Sequence, residues 1–263
     1  MRSPSSLSSP STLPNLQRWL LNFLLFTTAN LALAQAATVV PAEIEYASPD
    51  QSVWSTRQNE RGEPNNPLLP VASAILSKAG IPWHAKVYPA NRLFKNLQEG
   101  TSNFAILVQA SALQACCIFS HKPIAQIELR TYWQGTKTPI TDRNQLIGKS
   151  VITIRGYSYG GLRDFINKPE NRVTVNEAST HQAALQMLLH KRADYLINYT
   201  GPASEVIADS LAKDIESSTL SRENVHLILA KSYPDATNVM ARMESIARTL
   251  DIPKLMRGEG KNK

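Results

Sequence analysis

Apolar and polar residues alternate along this chain in short stretches, and each stretch is followed by one with a helical period. "EIEYA", Glu43 to Ala47, alternates and ends at a turn signal, so it predicts a strand. After a polar loop, "PLLPVASAILSKAG" has Leu69, Ala72, Ala74, Ile75 and Leu76 on one face and stops at Gly80, which predicts an amphipathic helix. "WHAKVYPA" predicts a second strand, "NRLFKNLQEG" a second helix and "NFAILVQA" a buried third strand. A long strand follows at 125–135, and then a second series begins. It runs "SVITIRG" (strand), "SYGGLRDFIN" (helix), "RVTVNEA" (strand), "THQAALQMLLHKR" (helix), "ADYLINYT" (strand) and "PASEVIADSLAK" (helix). "NVHLILAKSY" closes the pattern as a strand and "DATNVMARMESIARTL" as a helix. Two β-α-β-α-β series joined by long strands predict an α/β fold of two lobes, each a mostly parallel sheet flanked by helices.

Residues 1–36 stand outside this pattern. Arg2 and Arg18 precede an apolar run from Trp19 to Ala34, no acid occurs before Glu43, and Ala34-Gln35-Ala36 supplies a small-x-small site. The run is short for a bilayer span and carries Asn22 and Asn30. It reads as a signal peptide for export, cleaved after Ala36. The remaining chain holds 26 basic and 21 acidic residues, a charge of +5 spread along its length. Nucleic-acid binders gather their charge into a patch, so this balance argues against that class. The five histidines lack zinc-ligand spacing, and no nucleophile elbow, Walker loop or HExxH occurs, so neither metal nor cofactor is expected. The only cysteines, Cys116 and Cys117, are adjacent. Export makes a disulfide chemically possible, but a ring between neighbours strains the peptide between them. They read as two small, buried, free thiols.

Four segments resemble, in order, motifs of the family 3 (class II) periplasmic solute-binding proteins of ABC importers. "YPANRLFKNLQEGTSNFAILV" is similar to the family's Pro-x-x-Arg…Leu-x-x-Gly segment and "IFSHKPI" to its Phe-Ser-x-Pro-Tyr segment. "NQLIGKSVITIRGYSYGGL" resembles the entry to its second lobe. "ALQMLLHKRADYLINY" resembles its Leu-x-x-Gly-Arg-x-Asp helix and strand, with Lys191 where glycine is usual. The resemblance implies that residues 37–136 and 223–263 form lobe 1 and residues 137–222 form lobe 2. The hinge would then lie at Glu128–Gln134 and Asn224–Lys231. A ligand would bind between the lobes, and a membrane permease or a membrane sensor would read the closure.

Within "IRGYSYGG", Gly156 lets the chain turn, Ser158 is a candidate helix N-cap, and Tyr157 and Tyr159 are candidate stacking groups. A dinucleotide loop would need G-x-G-x-x-G, and this is G-x-x-x-G-G. Amino-acid receptors of the family carry an arginine near the position of Leu113 and an aspartate at the end of a lobe 2 strand. "QASALQACC" contains no arginine, and Asn198 and Tyr199 stand where the aspartate would be. An ordinary α-amino acid is therefore a doubtful ligand. The remaining candidate lining is polar and aromatic: Ser48, Trp54, Gln109, Ser111, Gln114, Asn198 and Tyr199, with Arg92 at the opening of the second helix. Such a lining suits a small polar ligand, neutral or weakly anionic. Tyr157→Ala and Asn198→Ala are expected to weaken binding with little loss of stability.

Three roles follow from this reading. The first is a monomeric solute-binding protein presenting a small polar molecule to an ABC importer. The second is a periplasmic sensor or accessory domain acting on a membrane kinase, cyclase or receptor. The third is an enzyme, for which Glu177 is the one histidine or glutamate candidate near the predicted strand ends.

Overall fold

The computed structural model describes residues 41–58, 65–210 and 212–258. The expected signal peptide, and with it the reading of export, lies outside the described residues. Among the described residues, nine strands form one continuous sheet in the order β2-β1-β3-β9-β5-β8-β6-β7, with β4 also on β9. These are β1 (Ile44–Pro49), β2 (Trp83–Tyr88), β3 (Phe104–Val108), β4 (Cys117–Phe119), β5 (Ala125–Gln134), β6 (Ser150–Ile154), β7 (Thr174–Ala178), β8 (Tyr195–Tyr199) and β9 (Ile215–Ala230). The helices are α1 (Leu69–Lys78), α2 (Ala90–Glu99), α3 (Leu162–Ile166), α4 (His181–Leu189), α5 (Thr200–Asp209), α6 (Ala236–Ala247) and α7 (Ile252–Met256).

The pairing divides the sheet into two lobes. In the terminal lobe, β1 runs parallel to β2 and to β3, and β3 meets the end of β9 antiparallel. In the central lobe, β6 runs parallel to β7 and to β8, and β8 meets β5 antiparallel. Strands β5 and β9 belong to both lobes and pair antiparallel along the whole of β5. Their register slips once: Leu129 faces Ser221, but Arg130 faces Thr219, so Leu220 is an extra residue. A bulge of this kind bends and twists a ribbon locally, and this one lies in the ribbon that both lobes share.

Both cores come from the periodicity seen in the sequence. Helix α1 buries Val71, Ala72, Ile75 and Leu76, and α2 buries Leu93, Asn96 and Leu97. Helix α4 buries Ala184, Leu185 and Leu188, and its start is capped by Thr180, whose hydroxyl accepts from Ala183 N–H at 3.1 Å.

Three local expectations are corrected. The last long strand begins at Ile215, not near Asn224, because the polar stretch "ESSTLSRE" pairs with β5 with much of both its faces in contact with solvent. Polar residues therefore hide no period, and only pairing reveals the strand. The helix expected from Ser158 starts at Leu162. Tyr159, Gly160 and Gly161 all have left-handed backbone (φ 51°, 65° and 96°) and form a short 3-10 turn, and the Ser158 side chain, which precedes it, makes no capping hydrogen bond. Strand β4 and helix α7 were not anticipated.

Candidate functional site

The carboxyl ends of β1, β3, β6 and β8 converge between the lobes, where open α/β sheets place their ligands. Here the cleft has two compartments. The inner one is a slot of about 60 Å³ between the loop after β1 (Pro49, Ser52, Val53, Trp54), helix α2 (Ala90, Leu93, Phe94), the end of β3 and, from the central lobe, Gly156, Tyr157, Ser158 and Tyr199. None of its lining residues carries a charged side chain. The outer one is a groove of about 790 Å³ that shares Phe94, Gly156, Tyr157 and Ser158 with the slot. It adds charged groups from both lobes: Lys95, Arg155, Arg163, Asp164 and Glu177.

Two glycines make the close approach of the lobes possible. At Gly156 (φ 79°) a Cβ would stand 2.9 Å from Asn91 Oδ1 and 3.1 Å from Ala90 Cβ, at the start of α2. At Gly201, in the first turn of α5, a Cβ would stand 2.2 Å from the Trp54 carbonyl oxygen. Gly201 thus rests on backbone of the other lobe, and Gly156 on the side chains of Ala90 and Asn91.

Hydrogen bonds then join the lobes. Tyr157 donates its hydroxyl to the Gln51 carbonyl. The Glu205 carboxylate on α5 accepts from Ser55 Oγ (2.8 Å), Thr56 N–H (2.6 Å) and Thr56 Oγ1 (2.8 Å), and Arg57 lies 3.7 Å away. Burial pushes the Glu205 carboxyl up, but these hydrogen bonds and the arginine outweigh it and hold the group below the ordinary glutamate range. At the groove, Ser111 Oγ donates to Asp164 at 3.1 Å.

Behind the slot, Tyr157 packs on a buried aromatic cluster. Its ring lies 5.5 Å from Tyr159, 6.0 Å from Tyr199 and 5.9 Å from His181, and Tyr159 stacks on Tyr199. His181 Nδ1 lies 3.0 Å from Asn198 Oδ1, and its Nε2 lies 3.3 Å from the Tyr157 hydroxyl. Asn198 Oδ1 also accepts from Tyr199 N–H, which orients the amide and makes His181 Nδ1 the donor. Burial pulls the imidazole down to about 4, against the hydrogen bonds to Asn198 and the Ser52 backbone and the charge of Glu205.

The structure therefore brings Trp54, Tyr157, Ser158 and Tyr199 together in the slot, and Ser111 joins Tyr157 and Ser158 in the groove. Arg92 and Gln109 are exposed and line neither compartment, and Ser48 is buried at the end of β1. Tyr159 is buried, its hydroxyl accepting from Ile154 N–H at 2.6 Å, and Asn198 lies behind the slot beside His181. Burial of Tyr157 and Asn198 corrects the expectation that removing either leaves stability intact. Glu177 is committed to Arg163 (2.8 Å) and Arg155 (3.8 Å). Sequence reasoning missed Phe94, His181 and Glu205. The one available signal for His181 was its place at the first residue of a helix that follows a strand.

Two α/β lobes joined by two long antiparallel strands, with a cleft at the strand ends, define a periplasmic-binding-protein-like fold. Solved structures agree. An ancestral arginine-binding protein bound to arginine aligns at a TM-score of 0.65, with 15% identity, over 83% of this chain and 98% of that one. A histidine kinase sensor domain with similarity to periplasmic binding proteins aligns at 0.67, with 13% identity, over 85% and 97%. The Bordetella pertussis BvgS VFT2 domain aligns at 0.61, with 15% identity, over 95% and 97%. No family model matches the sequence, and no curated protein matches it. The likeness is one of fold.

Proposed function

We propose that this chain is an exported, non-enzymatic ligand-binding protein that captures one small molecule between its lobes and signals occupancy by its closure. In this reading residues 37–136 and 223–263 form one lobe, residues 137–222 the other, and the β5–β9 ribbon is the hinge. The observation that carries it is the slot: an uncharged, aromatic-walled space to which four strand ends and both lobes contribute. A slot without charge suits a neutral ligand with an aromatic or aliphatic body. It does not suit an α-amino acid, whose ammonium and carboxylate would each need a partner there.

The membrane partner is a permease of an ABC importer in one reading and a sensor kinase or cyclase in another. The bonds of Glu205 to Ser55 and Thr56 favour the second, because a protein that closes on its own atoms can present closure as a standing signal. The fold likeness to a histidine kinase sensor domain is in keeping with that. An enzyme is disfavoured, since Glu177 is held by two arginines and the slot offers no acid–base pair.

The test is thermal unfolding against neutral aromatics, nucleobases, sugars, amino acids, dicarboxylates and polyamines. A ligand that binds only the folded state adds about 2.7 kcal/mol of stability at a hundred times its dissociation constant. A hit among the uncharged compounds is expected. A hit confined to amino acids would sink the neutral-slot reading, and no shift from any class would sink the small-ligand reading itself.

A further inference from the structure

The terminal lobe carries a pair of groups that the cleft does not use. Cys116 and Cys117 are both free, and their sulfurs lie 3.1 Å apart. Cys117 is buried among Leu93, Leu97, Leu113 and Ile228, whereas Cys116 is half-exposed at the end of the turn that precedes β4. That turn is pinned from outside. Lys231 donates its backbone N–H to the Cys116 carbonyl (2.8 Å) and its ammonium to the carbonyls of Gln114 (3.2 Å) and Ala115 (2.8 Å). The two thiols are thus held side by side with a fixed positive charge close to them.

We propose that Cys116 and Cys117 are a redox site that closes to a vicinal disulfide by exchange with the disulfide of a small thiol or an oxidoreductase. The half-exposed Cys116, as thiolate, attacks one sulfur of the donor, forming a mixed disulfide and releasing the first donor thiolate. Cys117 then gives up its proton and attacks the Cys116 sulfur, which expels the second. Two electrons pass to the donor, which leaves as two thiols. The order of attack follows from burial, which pushes the Cys117 thiol up to about 12 and makes it the resolving group.

The change is felt at the cleft. A disulfide needs sulfurs about 2 Å apart, so closure draws the pair together by about 1 Å. Cys116 Sγ now donates to the Leu113 carbonyl at 3.4 Å, at the end of the short helical turn Ser111–Leu113. Ser111 is the residue that reaches Asp164 in the other lobe. Oxidation therefore loosens the Ser111 contact, and the strain of the ring makes the disulfide an easily reduced, reversible one.

The experiment needs no ligand, so its failure is separate from failure of the binding reading. The purified chain is incubated with oxidised glutathione and then with dithiothreitol, and thiol titration and peptide mass are followed. Wild type is expected to lose both titratable thiols, to lose two hydrogens from the peptide spanning 116–117, and to recover both on reduction. Cys117→Ser is expected to stop at the glutathione adduct, and Cys116→Ser to keep its thiol. Two free thiols in wild type after oxidation, a persistent glutathione adduct, or a bond between two chains would each overturn the proposal, and these readouts on wild type need no variant to fold. Amide exchange across 109–119 is expected to be several-fold faster in the oxidised form. Unchanged exchange there would overturn the coupling to the cleft.

Discussion

The slot and the groove are built from the same two lobes and share Phe94, Gly156, Tyr157 and Ser158, yet their chemistry is opposite. The slot is small and uncharged, and its walls are tied together by Tyr157 to Gln51 and by Glu205 to Ser55 and Thr56. The groove is more than ten times larger, its charges are largely paired within one lobe, and Ser111–Asp164 spans it. The difference separates two tasks. Under the proposed function the groove would give access and the slot would select, while the contacts that tie the lobes lie beside the slot. Changes at the slot should therefore alter stability as well as binding, and changes at the groove should not.

The largest effect is expected from Tyr157→Ala. The ring packs on Tyr159, Tyr199 and His181, and its hydroxyl joins the lobes. Truncating a buried aromatic side chain typically costs about 3–5 kcal/mol. Denaturant unfolding should show a loss of that size, whereas Lys95→Ala in the groove should leave the midpoint in place. Equal effects from the two variants would erase the distinction between the compartments.

Next comes acid. His181 is buried with its imidazole held down to about 4, below the ordinary histidine value of 6.5. Between those values the unfolded chain binds a proton that the folded chain refuses, so stability rises with pH across that window. The contribution is complete above pH 6.5 and is lost as pH falls towards 4, amounting to about 3 kcal/mol. His181→Gln should flatten the stability profile over this range, so that its difference from wild type changes with pH. Parallel profiles for wild type and variant would show that the imidazole titrates normally.

The sequence announces the fold wherever one face of an element is buried. Helices α1 and α4, with their apolar faces, and strands β1, β3 and β6 stand out by period, and the parallel pairing follows from their order. The first half of β9 leaves no such trace, since residues half in solvent on both sides need no alternation. Trp54, Tyr157 and Tyr199 were legible because they follow strand ends, where the cleft must lie. Asn198 is different: successive strand residues point to opposite faces, so of Asn198 and Tyr199 only one can reach the slot. Glu205 was illegible. An acid in mid-helix looks like any solvated one until the loop carrying Ser55 and Thr56 folds against it.

Glu205 joins the two lobes beside the slot. Its carboxylate does so through one backbone and two side-chain donors, so Glu205→Ala removes the joint without touching the slot's walls. The expected cost is about 2 kcal/mol, since hydrogen bonds to a charged group contribute more than neutral ones, but water can reach the freed donors. Its pH dependence has the same sign as that of His181 but lies in a lower range. Because the folded carboxyl titrates below its ordinary value of 4.5, the latch is fully present above that pH and weakens as pH falls through the lower folded value. Wild type should therefore lose stability in two stages, His181 acting first and Glu205 below it, and Glu205→Gln should abolish only the second. Small-angle scattering gives the structural half of the test. If Glu205 holds the lobes together, the Glu205→Ala protein has a larger radius of gyration than wild type, and a ligand of the slot restores the smaller one. An unchanged radius together with an unchanged unfolding midpoint would mean that the aromatic wall alone keeps the cleft shut.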